Sequence, residues 1–329
     1  MAADTLPSGS VGRGKPVSDP QSQLRVRAAW LYYVEGLTQS DVADRLGVNR
    51  IMITRLLSEA RKRGEVVIRI KSKLGPLIEA QIQLEKKFGL AKAIVAPFTE
   101  DDGDPTRVIA AAAGEYVSGL MRNNVTIGVG WGRTLHTMLP YVEGRTLEGA
   151  RVVSLLGGIA QARRFNPAEF AWQFAELFDA EGFLIPAPAI VDSAQTKHAL
   201  LEHCGLDHIM SMAETCDVVL LSCGGISTLT TSYRTGHVSE AERISLIEAG
   251  AVGDVLYNFL DRDGQPVPHP VNERCISVSV DRLSRLSDKV LISGGIEKTL
   301  AIRATLKSVK PNTFVTDEAT AMRLLASDE

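Results

Sequence analysis

At 329 residues the chain has room for two domains, and its composition, 45% hydrophobic and 23% charged, is that of an ordinary globular protein. No apolar run approaches the roughly 18 residues a membrane-crossing helix needs, and the N-terminus lacks the basic head and apolar block of a secretory signal. Net charge is −3 but unevenly spread: residues 21–73 carry 11 Lys/Arg against 5 Asp/Glu, whereas residues 74–329 carry 23 against 32. A basic module joined to an acidic body points to a polyanion partner for the first part alone.

Residues 1–20, rich in Gly, Ser and Pro, read as a disordered tail. Three short helices are then expected. Leu24, Ala28, Leu31 and Tyr32 recur at helical spacing, and Gly36 ends the first helix. Thr38 or Ser40 caps a second helix carrying Val42, Ala43 and Leu46, and Gly47 supplies a tight turn. Asn49 caps a third, whose Ile53, Leu57 and Ala60 form an apolar stripe ending at Gly64. Val66–Ile70 alternates like a short strand, a wing. The domain boundaries expected are 21–73 for this module, 74–90 for a linker or oligomerisation helix, and 91–329 for a larger domain. There, apolar runs alternate with helices: strands are expected at Ala93–Ala96, Thr126–Val129, Val152–Leu156, Gly182–Ile185, Val218–Leu221, Cys275–Val280, Lys289–Ser293 and Thr313–Thr316. That alternation predicts a doubly wound α/β domain with a mainly parallel sheet.

Helix, tight turn and helix over residues 37–63 form a helix-turn-helix, whose second helix enters the major groove of double-stranded DNA. With Ile53 and Leu57 inward, Asn49, Arg50, Thr54 and Arg55 face outward, and arginine can pair with guanine at two atoms. Gln39 and Ser40, at the start of the preceding helix, are placed to hold a phosphate. Arg61, Lys62 and Arg63 add bulk charge. An amphipathic hairpin used for protein contacts is the plainer alternative.

Two glycine-rich turns suggest an anion site in the larger domain. The first strand-to-helix turn is Gly130-Trp131-Gly132-Arg133-Thr134: the glycines admit an anion to backbone N–H groups, and Thr134 adds a hydroxyl. The second contains Gly294, Gly295 and Lys298, the lysine serving as a point charge. Asp254 offers a carboxylate to sugar hydroxyls or is an ordinary helix cap, with Asn258 a turn later on the same face. Asn166 and Glu169 either line the pocket or start a helix.

Several segments together resemble the SorC-type sugar-binding transcriptional regulators. They are AAWLYYVEGLTQSDVADRLGV near the front, IGVGWGRTL at 127–135, LLGG at 155–158 and PAPA at 186–189. AGAVGDVLYNFLDRDG at 249–264, SGGIEKTLAIRATLK at 293–307 and FVTDEATA at 314–321 continue the series. The resemblance implies a winged helix-turn-helix followed by an effector domain similar to sugar-phosphate isomerases, assembled as a homotetramer. It implies that the Gly130–Thr134 loop cradles a phosphate and that Lys298 contacts the effector, a small sugar, sugar phosphate or polyol. It further implies operator DNA as partner, and the isolated, mostly apolar-flanked cysteines suit a reducing cytosol, so a cytoplasmic protein is expected. Two departures stand out: Cys223 where glycine is common, and Ile51-Met52 at the start of the third helix where a proline is usual.

The competing class is a sugar-phosphate isomerase or deaminase with an appended domain, Asp254 and Lys298 acting as base and acid. Against it, the six histidines fall in no catalytic motif, and no nucleophile elbow, P-loop or dinucleotide fingerprint is present. The cysteines, Cys204, Cys216, Cys223 and Cys275, have no metal-ligand spacing. A non-enzymatic sensor without metal or cofactor is the expectation.

Overall fold

The computed structural model describes residues 19–67, 75–98, 103–159, 166–228, 233 and 236–326. The chain folds as two compact units, Met1–Arg69 and Ile70–Glu329. The first holds α1 (Pro20–Tyr33), α2 (Gln39–Leu46) and α3 (Arg50–Lys62). Thr38 caps α2 in a reciprocal box with Asp41. Gly47 ends it at φ +66°, a left-handed conformation that costs glycine little and turns the chain sharply into α3. Asn49 then caps α3, its side-chain oxygen accepting from the Met52 N–H at 2.8 Å. Ala28, Ala29 and Leu31 of α1 meet Val42, Ala43, Ile53, Leu56, Leu57 and Ala60 in one small core. The buried Arg25 guanidinium grips Glu65 beyond α3, tying the two ends of the bundle together. Val66 and Val67 are not in a strand, and the remainder of the expected wing, 68–70, lies outside the described residues, as does the expected tail over 1–18.

The second unit opens with α4 (Gly75–Phe88), β1 (Lys92–Ala96), α5 (Thr106–Leu120), β2 (Thr126–Val129) and α6 (Arg133–Met138). Next come β3 (Arg151–Gly158), α7 (Pro167–Glu176), β4 (Glu181–Pro188), α8 (Ala194–His203), α9 (Leu206–Ala213), β5 (Val218–Leu221) and β6 (Cys223–Gly225). The chain continues through α10 (Glu240–Glu248), β7 (Gly253–Val255), β8 (Asn258–Leu260), α11 (Pro270–Arg274), α12 (Val280–Arg285) and β9 (Asp288–Ile292). It closes with α13 (Thr299–Val309), β10 (Thr313–Asp317) and α14 (Glu318–Ala326).

Seven strands form one parallel sheet in the order β1-β10-β9-β5-β2-β3-β4. Strand periodicity explains its burial on both faces. In β5, Val218 and Leu220 join a core with Ile109, Val117, Phe170 and Phe174 from α5 and α7. Val219 and Leu221 point the other way, into a core with Leu84, Leu283, Ile302 and Leu324 from α4, α12, α13 and α14. A short antiparallel sheet, β6-β7-β8, follows the carboxyl end of β5.

Two segments depart from what their residues predict. Cys275–Val280 is not a sheet strand. The Ile276 N–H donates to Ala189 O, while Ile276 O accepts from the Gly157 N–H and the Val278 N–H donates to Leu155 O. The segment therefore wedges between the ends of β3 and β4, where their register shifts. Val280 then begins α12, capped by Ser279. The second correction concerns the helical reading of Asp254 and Asn258: they lie in β7 and β8, joined by a tight hairpin with Leu256 and Tyr257 at φ +52° and +61°.

Candidate functional site

On α3 the inward side is set by Ile53, Leu56, Leu57 and Ala60, leaving Asn49, Arg50, Thr54 and Arg55 exposed as expected. Thr54 is not wholly uncommitted: its hydroxyl donates to Gln39 Oε1 at 3.0 Å and to Arg50 O at 3.1 Å, linking the two helices of the hairpin. Asn49 spends its oxygen on the helix cap, while Ser40 is exposed in the first turn of α2. Arg50 and Arg55 are the outward cations near the helix start. Ile51, noted from sequence only as a departure, Lys62, noted only for bulk charge, and Ser58, not noted at all, share the outward row with Arg55 by helical spacing.

The glycine-rich turns meet in the second unit because β9, β5 and β2 are adjacent and parallel, so their carboxyl ends open on one crevice. Gly130 extends the ladder, its N–H donating to Leu220 O at 2.8 Å. Trp131 is buried and stacks on Tyr257 of the small sheet's hairpin, ring centroids 5.1 Å apart. Gly132, at φ +129°, turns the chain into α6. Arg133 forms a two-point pair with Asp104, Nη1–Oδ2 2.7 Å and Nη2–Oδ1 3.2 Å. Thr134 is buried beside it.

Across the crevice, Gly294 has no room for a side chain: a Cβ there would stand 2.1 Å from Asp317 Oδ2 and 2.4 Å from Ile109 Cδ1. The Gly295 N–H already donates to Asp317 Oδ2 (3.1 Å) and Thr320 Oγ1 (2.8 Å). This second turn is therefore held by its own carboxylate, and its contribution toward a ligand rests on Lys298. That lysine is half-buried and acts electrostatically on both Asp104 and Cys223. Burial pulls the Asp104 carboxyl upward, but hydrogen bonds from Thr106 and the charges of Arg133 and Lys298 outweigh it, and the group is held below the usual range. Burial pushes the Cys223 thiol up, so the cysteine at this rim is neutral and donates to Ser293 Oγ at 3.3 Å.

The remaining candidates divide by what their polar atoms already do. Asp254 is buried opposite Gly224 in the small sheet, and its Oδ2 accepts from the Tyr257 N–H at 3.0 Å, closing the hairpin. Asn258 donates to Val255 O at 3.0 Å and Val278 O at 3.2 Å, a backbone tie. Asn166 caps α7 by accepting from Ala168 N–H (2.9 Å) and donates to Ile159 O (2.7 Å). Glu169, in the first turn of α7, accepts from Gln173 and lies near His136 of α6, whose imidazole is pushed below its ordinary value by burial, with Glu169 opposing. Sequence reasoning missed Asp104, Tyr257 and His237. Asp104 stands just before α5, whose cap position is Pro105, and its Oδ1 accepts from the Thr106 N–H and hydroxyl, a turn signal present in Asp104-Pro105-Thr106. His237 stands edge-on to Tyr257 at 6.3 Å with a buried Nδ1 that has no partner among the described residues, and no local motif marks it.

Residues 72–326 match the family model described as "Putative sugar-binding domain". The chain belongs to the SorC-type sugar-binding transcriptional regulators. It is 32% identical over 311 residues to the transcriptional regulator LsrR of Klebsiella pneumoniae, covering 93% of this chain and 94% of the relative. It is 29% identical to the erythritol catabolism regulatory protein EryD of Brucella abortus, covering 94% and 98% of the two chains. The full-length sorbitol operon regulator SorC of Klebsiella pneumoniae superposes with a TM-score of 0.69 at 26% identity, over 92% of this chain and 98% of that one. Membership in the SorC-type family makes the chain a transcriptional regulator and not an enzyme. Among the described residues no helix is long and apolar enough to cross a membrane.

Proposed function

We propose that this cytoplasmic regulator binds double-stranded operator DNA through α3 and that a small sugar, sugar phosphate or polyol, bound in the crevice, sets its operator affinity. The observation that carries the effector reading is the convergence of two cations, Arg133 and Lys298, on Asp104 at a glycine-bounded turn. Two positive charges beside a buried hydroxyl, Thr134, suit a phosphoryl group. Asp254, buried in the neighbouring hairpin, is the carboxylate that would meet sugar or polyol hydroxyls, in exchange for its bond from the Tyr257 N–H. The regulators named for erythritol catabolism and for the sorbitol operon support including free polyols among the candidates.

Binding that favours one state of the assembled protein over another changes operator affinity by linkage. A homotetramer with twofold symmetry would read a pseudo-palindromic operator with half-sites spaced by whole helical turns. The deciding experiment is a thermal-shift screen of the purified chain against sugar phosphates, free polyols and deoxyribonucleosides, followed by operator titration with each hit. A ligand at about 100 times its Kd stabilises by ~2.7 kcal/mol. A stabilising compound that also moves operator affinity supports the reading; stabilisation with unchanged DNA binding overturns its regulatory half.

A further inference from the structure

One feature of α3 serves neither its cap nor its core. Asn49 closes the helix start, and Ile53, Leu56, Leu57 and Ala60 make the core. At ~100° per residue, the row opposite that core runs through Ile51, Arg55, Ser58 and Lys62. Ile51 is 81% exposed, the highest value among the exposed large hydrophobics of the described residues. Leaving a β-branched apolar side chain in water gains nothing from burial, and isoleucine is no better than average as a helix former. The fold therefore gives no reason for it.

Its surroundings do. Arg50 and Arg55 flank Ile51, and Lys62 continues the row. Glu59, the acid near this row, is engaged by Arg63 in the next turn. An apolar side chain framed by cations on the N-terminal turn of a recognition helix matches one kind of surface: an anionic groove with an apolar point on its floor. In the major groove that point is the C5 methyl of thymine, and the first residues of a recognition helix are those that reach base edges. We infer that Ile51 is a specificity-determining residue that packs on a thymine methyl, with Arg50 and Arg55 pairing neighbouring phosphates or guanines. The inference rests on the operator-binding reading above.

The test uses the full-length chain. Binding sites are first selected from a randomised duplex library. Each thymine of the selected site is then replaced singly by deoxyuridine, which removes the methyl and keeps every hydrogen-bonding atom. At one position per half-site, the replacement should weaken wild-type binding about three- to fivefold, the scale of one methyl's burial. I51A should lose a similar factor on the thymine duplex and become indifferent to deoxyuridine there, while I51V retains part of the discrimination. Because the side chain is exposed, both variants should keep the wild-type Tm. A variant I51A that stays as methyl-sensitive as wild type, or a selected site with no methyl-sensitive thymine, overturns the assignment. A library that yields no enriched sequence overturns operator binding itself, a separate and recognisable result.

Discussion

Asp104 gives the most direct way to ask whether the effector carries a phosphate. Its carboxylate holds both Arg133 nitrogens and lies in the field of Lys298, so it occupies the charge that an incoming phosphoryl group would use. D104N removes that charge with little steric change. Asparagine retains the oxygen that accepts from the Thr106 N–H at 3.1 Å, so the turn into α5 keeps that bond. The Arg133 and Asp104 side chains are 44% and 54% exposed, which limits the pair itself to ~0–1 kcal/mol. Repulsion between Asp104 and a phosphate dianion a few ångströms away adds ~1–2 kcal/mol at low salt. Together, at ~1–3 kcal/mol, these predict that D104N binds a sugar phosphate about 5- to 150-fold more tightly at low ionic strength, the gain shrinking as the Debye length falls to ~8 Å near 0.15 M salt.

Isothermal titration of wild type and D104N with the best sugar phosphate and the best free polyol, at two salt concentrations, separates the possibilities. For an uncharged polyol the carboxylate is a hydrogen-bond acceptor, so the same substitution should leave affinity unchanged or lower it. A sugar phosphate whose Kd is the same for both proteins at low salt would refute the view that Arg133 and Lys298 form its cradle.

The other expectations follow from single interactions. R55A should weaken operator binding by about 1–3 kcal/mol if the arginine pairs with guanine, with effector affinity unaltered; gel-shift and thermal-shift titrations of the variant check both halves. K298A should show the reverse, intact DNA binding with a blunted effector response, and a fully responsive K298A would remove Lys298 from the site. G294A forces a Cβ to within 2.1 Å of Asp317 Oδ2 and should cost about 1–3 kcal/mol or more in denaturant unfolding; a wild-type midpoint would count against the tight packing of that turn. The Glu65 carboxyl is held below its ordinary value, chiefly by the hydrogen bond from Arg25. Its stabilising contribution is therefore complete above the ordinary carboxylate range and is lost as pH falls through the lowered value. E65Q should flatten the acid limb of unfolding of the N-terminal unit followed by circular dichroism, and an unchanged acid limb would show that the pair does not couple to folding.

Much of the fold was legible because its signals are local. Val218–Leu221 was readable as a strand since four consecutive apolar residues bury on both faces of a parallel sheet. Thr38, Gly47 and Asn49 announced the helix-turn-helix through caps and a left-handed turn that depend only on near neighbours. The misreadings concern segments whose conformation is imposed from afar. Cys275–Val278 has strand-like chemistry, yet the shifted register between β3 and β4 decides where its backbone bonds go. Asp254 and Asn258 are four apart like helix neighbours, but the hairpin is set by pairing of β7 with β6, which lies some thirty positions earlier in the chain.

The same distinction sorts the candidate site. Asn166, Asn258 and the Gly295 amide were plausible from residue type, and in the fold each is satisfied by its own chain: a helix cap, a backbone tie and an Asp317 bond. A polar group already paired this way must give up a bond of roughly 0.5–1.5 kcal/mol before it can serve a ligand. Arg133 differs because what it holds is the carboxylate of Asp104, itself an anion and exchangeable for another, and Lys298 acts on the same carboxylate through its charge. Sequence could name the cations but not their counter-charge, since Asp104 reaches Arg133 only after α5 and β2 bring residues 29 positions apart together. The chemistry of the crevice therefore turns on a pair, not on the glycines that first drew attention to it: a ligand that replaces one carboxylate between two cations conserves their charge balance, whereas a neutral ligand must bind beside it.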